Sequence, residues 1–377
     1  MKRILLFIIS SFASFSFSQS TFTVTTTGTT SQIDSAINYA TNIWSQYLNS
    51  TVPIKLNVIY TNLGATVLGT TLPNGRTNFT SAPDTEVGYP TSLANSISGV
   101  ELNPGEFDMD IYMNSSSNWY FGLDGNAGAQ VDFVTVFLHE MVHGLGGISF
   151  GKVENNLGSF GMLTLADIPL PTSFSVNFEP GVHTIWDNFL INGNNQDIVD
   201  SLIFQNISNA LANEIQSGDI YFNGPNATSA NAGVYPKIYA PAVWTIGSSL
   251  HHFDEVTFPQ GDENELFTPF LSGVSQFPGP VLLGALVDIG WDINSTVGLD
   301  KHGINEVVVA YPNPASDIIN IKFVKGVENV MLTDLQGKIV LGNLIQGKNN
   351  LRGLNSGNYI LSGTLNKNPF SQIIMIN

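Results

Sequence analysis

The chain opens with Lys2 and Arg3, an apolar run from Ile4 to Ile9, and small residues ending at Ser16-Phe17-Ser18. That order of charged start, apolar centre and small-residue end predicts a secretory signal over residues 1–18, cleaved before Gln19. The apolar run is shorter than the ~20 residues a membrane span needs, and no later segment is long and apolar enough to cross a bilayer. Past the signal, Ile33, Ala36, Ile37, Ala40, Ile43, Trp44 and Leu48 recur at helical spacing, with Asp34 near the start. Ile54 to Tyr60 alternates like a strand with one buried face, and Phe107 to Met113 alternates again. A helix is predicted from Val131 to His143. Helix, strands and a long helix in that order predict an α+β domain over residues 19–293.

From Ser149 to Ala240 the pattern is broken by Gly, Asn and Pro, and one helix is predicted there, from Ile198 to Ile215. Pro280 to Ile289 is apolar enough for a buried helix that closes at Gly290-Trp291. Residues 294–306 read as a linker. From Val307 the text changes to short alternating runs: Ile319 to Phe323, Val330 to Asp334, Lys338 to Leu341, Tyr359 to Leu361 and Ile373 to Ile376. Gly and Asn turns separate them, which predicts a small β-sandwich over residues 307–377.

Composition narrows the chemistry. A hydrophobic fraction of 43% fills a sizeable core, and a charged fraction of 11% lies well below the roughly 25% of ordinary soluble domains. The net charge of −17 disfavours nucleic acid and anionic membrane surfaces as partners, since both would repel it. There is no cysteine, so disulfides, thiolate metal ligands and a cysteine nucleophile are excluded together. A metal site in this chain must come from histidines and carboxylates.

One run has that chemistry: His139-Glu-Met-Val-His143. Residues four apart on a helix are offset by only about 40°, one turn apart in height, so both imidazoles reach one Zn2+. Glu140 follows the first ligand, where it can take a proton from water that the metal activates. Val131, Val134, Leu138, Met141, Val142 and Leu145 give the segment an apolar face, and Gly144, Gly146 and Gly147 provide a stop. Catalytic zinc usually keeps three protein ligands. The compact metzincin spacing places the third shortly after the helix; Gly146 fits it, but its last position is Ser149. The remaining histidines are His183, His251, His252 and His302.

Gly247-Ser-Ser-Leu-His-His-Phe-Asp254, followed by Asn264-Glu-Leu-Phe-Thr-Pro269, resembles the distal segments of leishmanolysin-like metallopeptidases. There a long insertion separates the helix motif from a distal His that precedes an aromatic residue and an acid, and a further segment supplies a methionine turn beneath the metal. The resemblance implies a zincin-like catalytic domain, a secreted zinc endopeptidase acting on proteins or peptides, and His252 as third ligand with His251 as the alternative. It departs at Phe267, which stands at the methionine position. Asn118 to Gly122, Trp186 to Leu190 and Tyr239-Ala-Pro241 also look like secreted bacterial proteins of this type, with no catalytic role assigned to them.

Tyr311-Pro-Asn-Pro-Ala-Ser-Asp317, Leu332 to Lys338 and Gly353 to Leu361 resemble the sorting domain of the type IX secretion system of Bacteroidetes. That resemblance implies the secretion machinery as a partner and passage through the periplasm and outer membrane to the surface or medium. It also implies removal of the sorting domain there, as is common in that family. Two other functions compete with proteolysis: a binding or adhesion protein that keeps the fold without turnover, and a metal-dependent amidase acting on cell-wall or other non-protein bonds.

Overall fold

The spacing that begins at Ile33 folds as α1, Ser31–Tyr47, with the Thr30 side chain accepting the Ile33 N–H as its cap. Its stripe of Ile33, Ala36, Ile37, Ala40 and Trp44 is buried. The structure is a computed structural model and describes residues 19–377 apart from 169, 176–178, 271–272, 295–307, 312–313, 324–325, 335–337, 366–367 and 377. The expected signal, all of the expected linker after Asn294, and His302 lie outside the described residues. No helix among the described residues is long and apolar enough to cross a membrane.

Four strands make the central sheet: β1, Phe22–Thr27; β2, Ile54–Thr61; β3, Gly69–Pro73; and β4, Met109–Asn114. Their spatial order is β1-β2-β4-β3, with the first three parallel and β3 antiparallel at the edge. The alternation around β4 predicts one buried face, yet all six of its residues are buried. The helix that carries His139 covers the face of Met109, while Asp110 and Tyr112 on the other face are covered by Pro171–Ser173. Asp110 is satisfied there by the Ser173 N–H at 2.7 Å and the Asn57 amide at 2.7 Å.

At the base of the sheet Asp108 is 1% exposed, and burial pushes its carboxyl up to about 6, against a bond from the Lys55 N–H. A carboxyl with a raised folded pKa binds protons more readily folded than unfolded, so its contribution to stability is full below pH 4 and is lost as pH rises through 6. Over that window the loss amounts to about 3 kcal/mol. Asp108→Asn should therefore gain on the wild type by up to about that much between pH 4 and pH 7, read from urea unfolding at both pH values. Parallel curves for the two proteins would show that Asp108 titrates as it does in the unfolded chain.

Helix α2, Thr91–Ser98, lies between β3 and β4 in sequence, and α3, Phe133–Leu145, follows β4. Of the helix predicted from Ile198 to Ile215, only α4, Asn209–Glu214, forms. The preceding residues are bound elsewhere: Ile198 N–H to Leu190 O, Ser208 N–H to Gly158 O, and the Asn206 side chain to both backbone groups of Phe160. These partners compete successfully with a helical ladder. Helix α5, Pro225–Ala230, starts against the Asp288 carboxylate, which accepts the Asn226 and Ala227 N–H groups. Asp288 belongs to α6, Pro280–Ile289, which ends at a left-handed Gly290. Just past it, Asp292–Ile293 pairs antiparallel with Leu48–Asn49, and the Asn294 N–H reaches Tyr47 O at 2.7 Å.

The C-terminal strands are β5, Val308–Tyr311; β6, Ile318–Phe323; β7, Val327–Thr333; β8, Ile339–Leu341; β9, Gly347–Asn350; β10, Gly357–Leu365; and β11, Asn368–Ile376. They form a three-stranded sheet, β5-β6-β9, and a four-stranded sheet, β8-β7-β10-β11, both antiparallel. Ile319 and Ile321 from the first share one buried cluster with Leu332, Leu361 and Ile374 from the second. A separate cluster holds Ile33 to Trp291.

Candidate metal centre

Helix α3 runs through the interior: all thirteen of its residues are buried, so the apolar face read from the sequence is one side of a helix covered all round. Asp132 caps its start by accepting the Thr135 N–H at 2.8 Å. Its final carbonyls are also met, by the Ser92 hydroxyl on Gly144 O, the Trp291 indole on Leu145 O at 2.7 Å and the Gly147 N–H on Val142 O. Gly146, at φ 122°, closes the helix. Gly144 lies inside it and serves packing, because a side chain there would collide with the Met109 sulfur of β4. The Trp44 indole of α1 donates to Leu138 O at 3.3 Å, which holds the helix from the other side.

Three imidazoles converge at the middle of this helix. His139, His143 and His252 are all buried, each with a ring nitrogen within 4.8 Å of the others. Their far sides decide which nitrogen carries the hydrogen. His139 Nδ1 meets Leu266 O at 2.7 Å, His143 Nδ1 meets Gly147 O at 2.7 Å, and His252 Nδ1 meets Ser248 O at 2.9 Å. A carbonyl only accepts, so each Nδ1 donates and each neutral ring presents its Nε2 lone pair inward. Burial, with the neighbouring imidazole His143, pushes His139 down to about 3, burial pushes His143 down to about 4, and burial with the adjoining rings holds His252 well below its ordinary value. The rings are therefore neutral at physiological pH. His139 Nε2 and His252 Nε2 stand 3.0 Å apart as two facing lone pairs, an arrangement that repels unless a cation lies between them. The donor set fits a transition-metal ion.

The distal histidine is placed by tertiary contacts. Leu250, at φ 67°, turns the chain in the left-handed region, a strained conformation for a branched side chain. Its carbonyl accepts the Trp186 indole at 3.0 Å, its N–H reaches Tyr239 O, and Tyr239 N–H returns to His252 O. The segments around Trp186 and Tyr239 thus hold the backbone that carries His252. Phe267 forms the floor, with its ring 5.4, 5.2 and 5.2 Å from those of His139, His143 and His252. Its carbonyl accepts the Phe253 N–H at 2.9 Å, which ties floor and distal segment together.

Glu140 is 5% exposed, and its Oε2 accepts the Thr71 hydroxyl at 2.8 Å. Burial pushes its carboxyl up to about 8, against that hydrogen bond. Thr71 and Gly69 come from edge strand β3, and a Cβ at Gly69 would lie 2.8 Å from Glu140 Cγ. The sequence reading misses both residues, since no local pattern tells which strand comes to lie against α3. Tyr239 packs edge-on against Phe270, and Trp119 donates to Asn114 O while packing on Phe133, so the motif segments around them act in packing. His183 is bound to the Asn188 side chain and lies outside the cluster. His251 is half-buried, its ring 6.0 Å from that of His143.

Two family models match the chain. One, described as SPBPB7E8-like, covers residues 10–158, which include the central sheet and α3 but stop short of His252. The other, the secretion system C-terminal sorting domain, covers residues 309–377. No curated protein and no solved structure matches. The C-terminal region is thus a type IX secretion sorting domain, which engages that machinery, and the protein is exported to the cell surface or beyond. Neither description names an activity.

Proposed function

We propose that this exported protein is a zinc-dependent endopeptidase, with His139, His143 and His252 holding the metal and Glu140 as general base. The observation that carries the reading is the inward convergence of three neutral imidazoles, with a carboxyl on the residue next to one of them. Three protein donors match the usual complement of catalytic zinc and leave a position open. Zinc at this place supplies a Lewis acid that acidifies water and polarises a carbonyl. Glu140 takes up the proton released as water attacks and returns it to the departing amine. Thr71 fixes the orientation of its carboxylate. On this reading the β1–β4 sheet with α1 and α3 is a zincin-like α+β domain, and the two C-terminal sheets form a small sandwich.

Purified full-length protein is expected to hold close to one zinc per chain and to cleave casein. Phenanthroline should abolish cleavage and added zinc should restore it. A fully zinc-loaded chain that leaves casein and gelatin intact would overturn the reading, and digestion of peptidoglycan in its place would reassign the substrate to cell-wall amides.

A further inference from the structure

We infer that His251 is a neutral hydrogen-bond donor beside the metal centre, placed to hold the carbonyl oxygen of a substrate as that oxygen gains negative charge. The inference rests on the peptidase reading for its substrate, but its structural basis is separate. His251 and His252 are neighbours in sequence, yet their Nδ1 atoms face groups of opposite kind. His252 Nδ1 meets a carbonyl, whereas His251 Nδ1 accepts the Ser149 N–H at 3.4 Å. A backbone N–H only donates, so Nδ1 of His251 holds the lone pair and its hydrogen sits on Nε2. That is the reverse of the tautomer shared by the three inward-facing rings, and it makes Nε2 a donor and not a metal ligand.

The surroundings fix this tautomer. Ser149 occupies the position where compact metzincin spacing has its third histidine, and it uses its backbone to orient the fourth imidazole of this chain. The loop that carries it is pinned by buried Asp187, whose Oδ2 accepts the Phe150 N–H at 3.0 Å and the Thr184 N–H at 2.9 Å. The Ser149 hydroxyl accepts the Gly151 N–H at 3.0 Å. Nε2 lies across the ring from the Ser149 backbone, and among the described residues no hydrogen bond to it is formed. The ring stands edge-on to His143, with centroids 6.0 Å apart, and its centroid lies 6.2 Å from that of His252, so the imidazole that carries this donor flanks the metal cluster. The ring gives up no proton; it donates one hydrogen bond, aimed at charge that develops in the transition state.

The test uses the full chain loaded with Co2+, whose visible bands report the coordination shell, and acetohydroxamate, whose carbonyl oxygen binds at such a centre. His251→Phe removes the donor, and His251→Gln restores a side-chain N–H in case the Phe variant folds poorly. We expect both variants to hold one cobalt with unchanged ligand-free bands. Acetohydroxamate binding should weaken about tenfold in His251→Phe and less in His251→Gln. With peptide substrate kcat should fall by about 10²-fold or more in His251→Phe, with KM little changed. Loss of cobalt or altered ligand-free bands would make His251 a ligand and overturn the inference, as would wild-type affinity for acetohydroxamate in His251→Phe. If the wild type binds acetohydroxamate in a His251-dependent way but cleaves no peptide, the peptidase reading fails while the donor assignment stands.

Discussion

Glu140→Gln is expected to lower kcat on casein-derived peptides by about 10²–10⁴-fold while zinc stoichiometry stays near one. The substitution keeps the shape of the side chain and an oxygen for the Thr71 hydroxyl, so the contact between β3 and α3 survives. What it removes is the ability to take up a proton. Glu140 is not among the three converging donors, and metal content should be indifferent to the change. Zinc analysis and steady-state kinetics on the same preparation separate the two effects. A variant retaining a tenth of wild-type kcat would remove Glu140 from the reaction, and a variant that lost its zinc would make it a ligand.

His252→Ala should have the opposite signature, with metal binding lost first and activity lost in consequence. Changes in groups that merely orient a metal ligand cost about 10–100-fold in affinity, and loss of the ligand itself should exceed that. The effect extends to stability. Metal bound at 100 times its dissociation constant adds about 2.7 kcal/mol to the folded state. Wild-type protein should therefore melt at a lower temperature after phenanthroline, whereas His252→Ala should melt alike with and without it. Zinc uptake by His252→Ala with undiminished affinity would show that the distal imidazole contributes no bond to the metal.

The contrast between these residues also marks what the sequence reveals. His139, Glu140 and His143 lie within one helix whose spacing alone aligns them, so local geometry makes that part of the site legible. His252 is separated from them by a segment with little periodicity, and it emerged only through resemblance in the words around it. Thr71 and Gly69 left no trace at all, because strand pairing is a long-range property and Gly-Thr-Thr-Leu-Pro carries no mark of its neighbour. For the fold, the strongly periodic α1, α3 and α6 were readable. Short α2 and α5 were not, since their ends are set by Pro90 and by Asp288 from another helix. The helix drawn from Ile198 failed because apolar spacing cannot register competing partners at Gly158 and Phe160.

The pairing of Leu48–Asn49 with Asp292–Ile293 joins the end of the first helix to the last strand that precedes the sorting domain among the described residues. With the Asn294 N–H on Tyr47 O, it works as a buckle fastened within the N-terminal body, and among the described residues the hydrophobic cluster behind it draws no member from beyond residue 293. Trimming the chain downstream of Asn294 would cut strap that lies past the buckle. If the sorting domain is removed after export, as its resemblance implies, that cut leaves closed what the buckle closes.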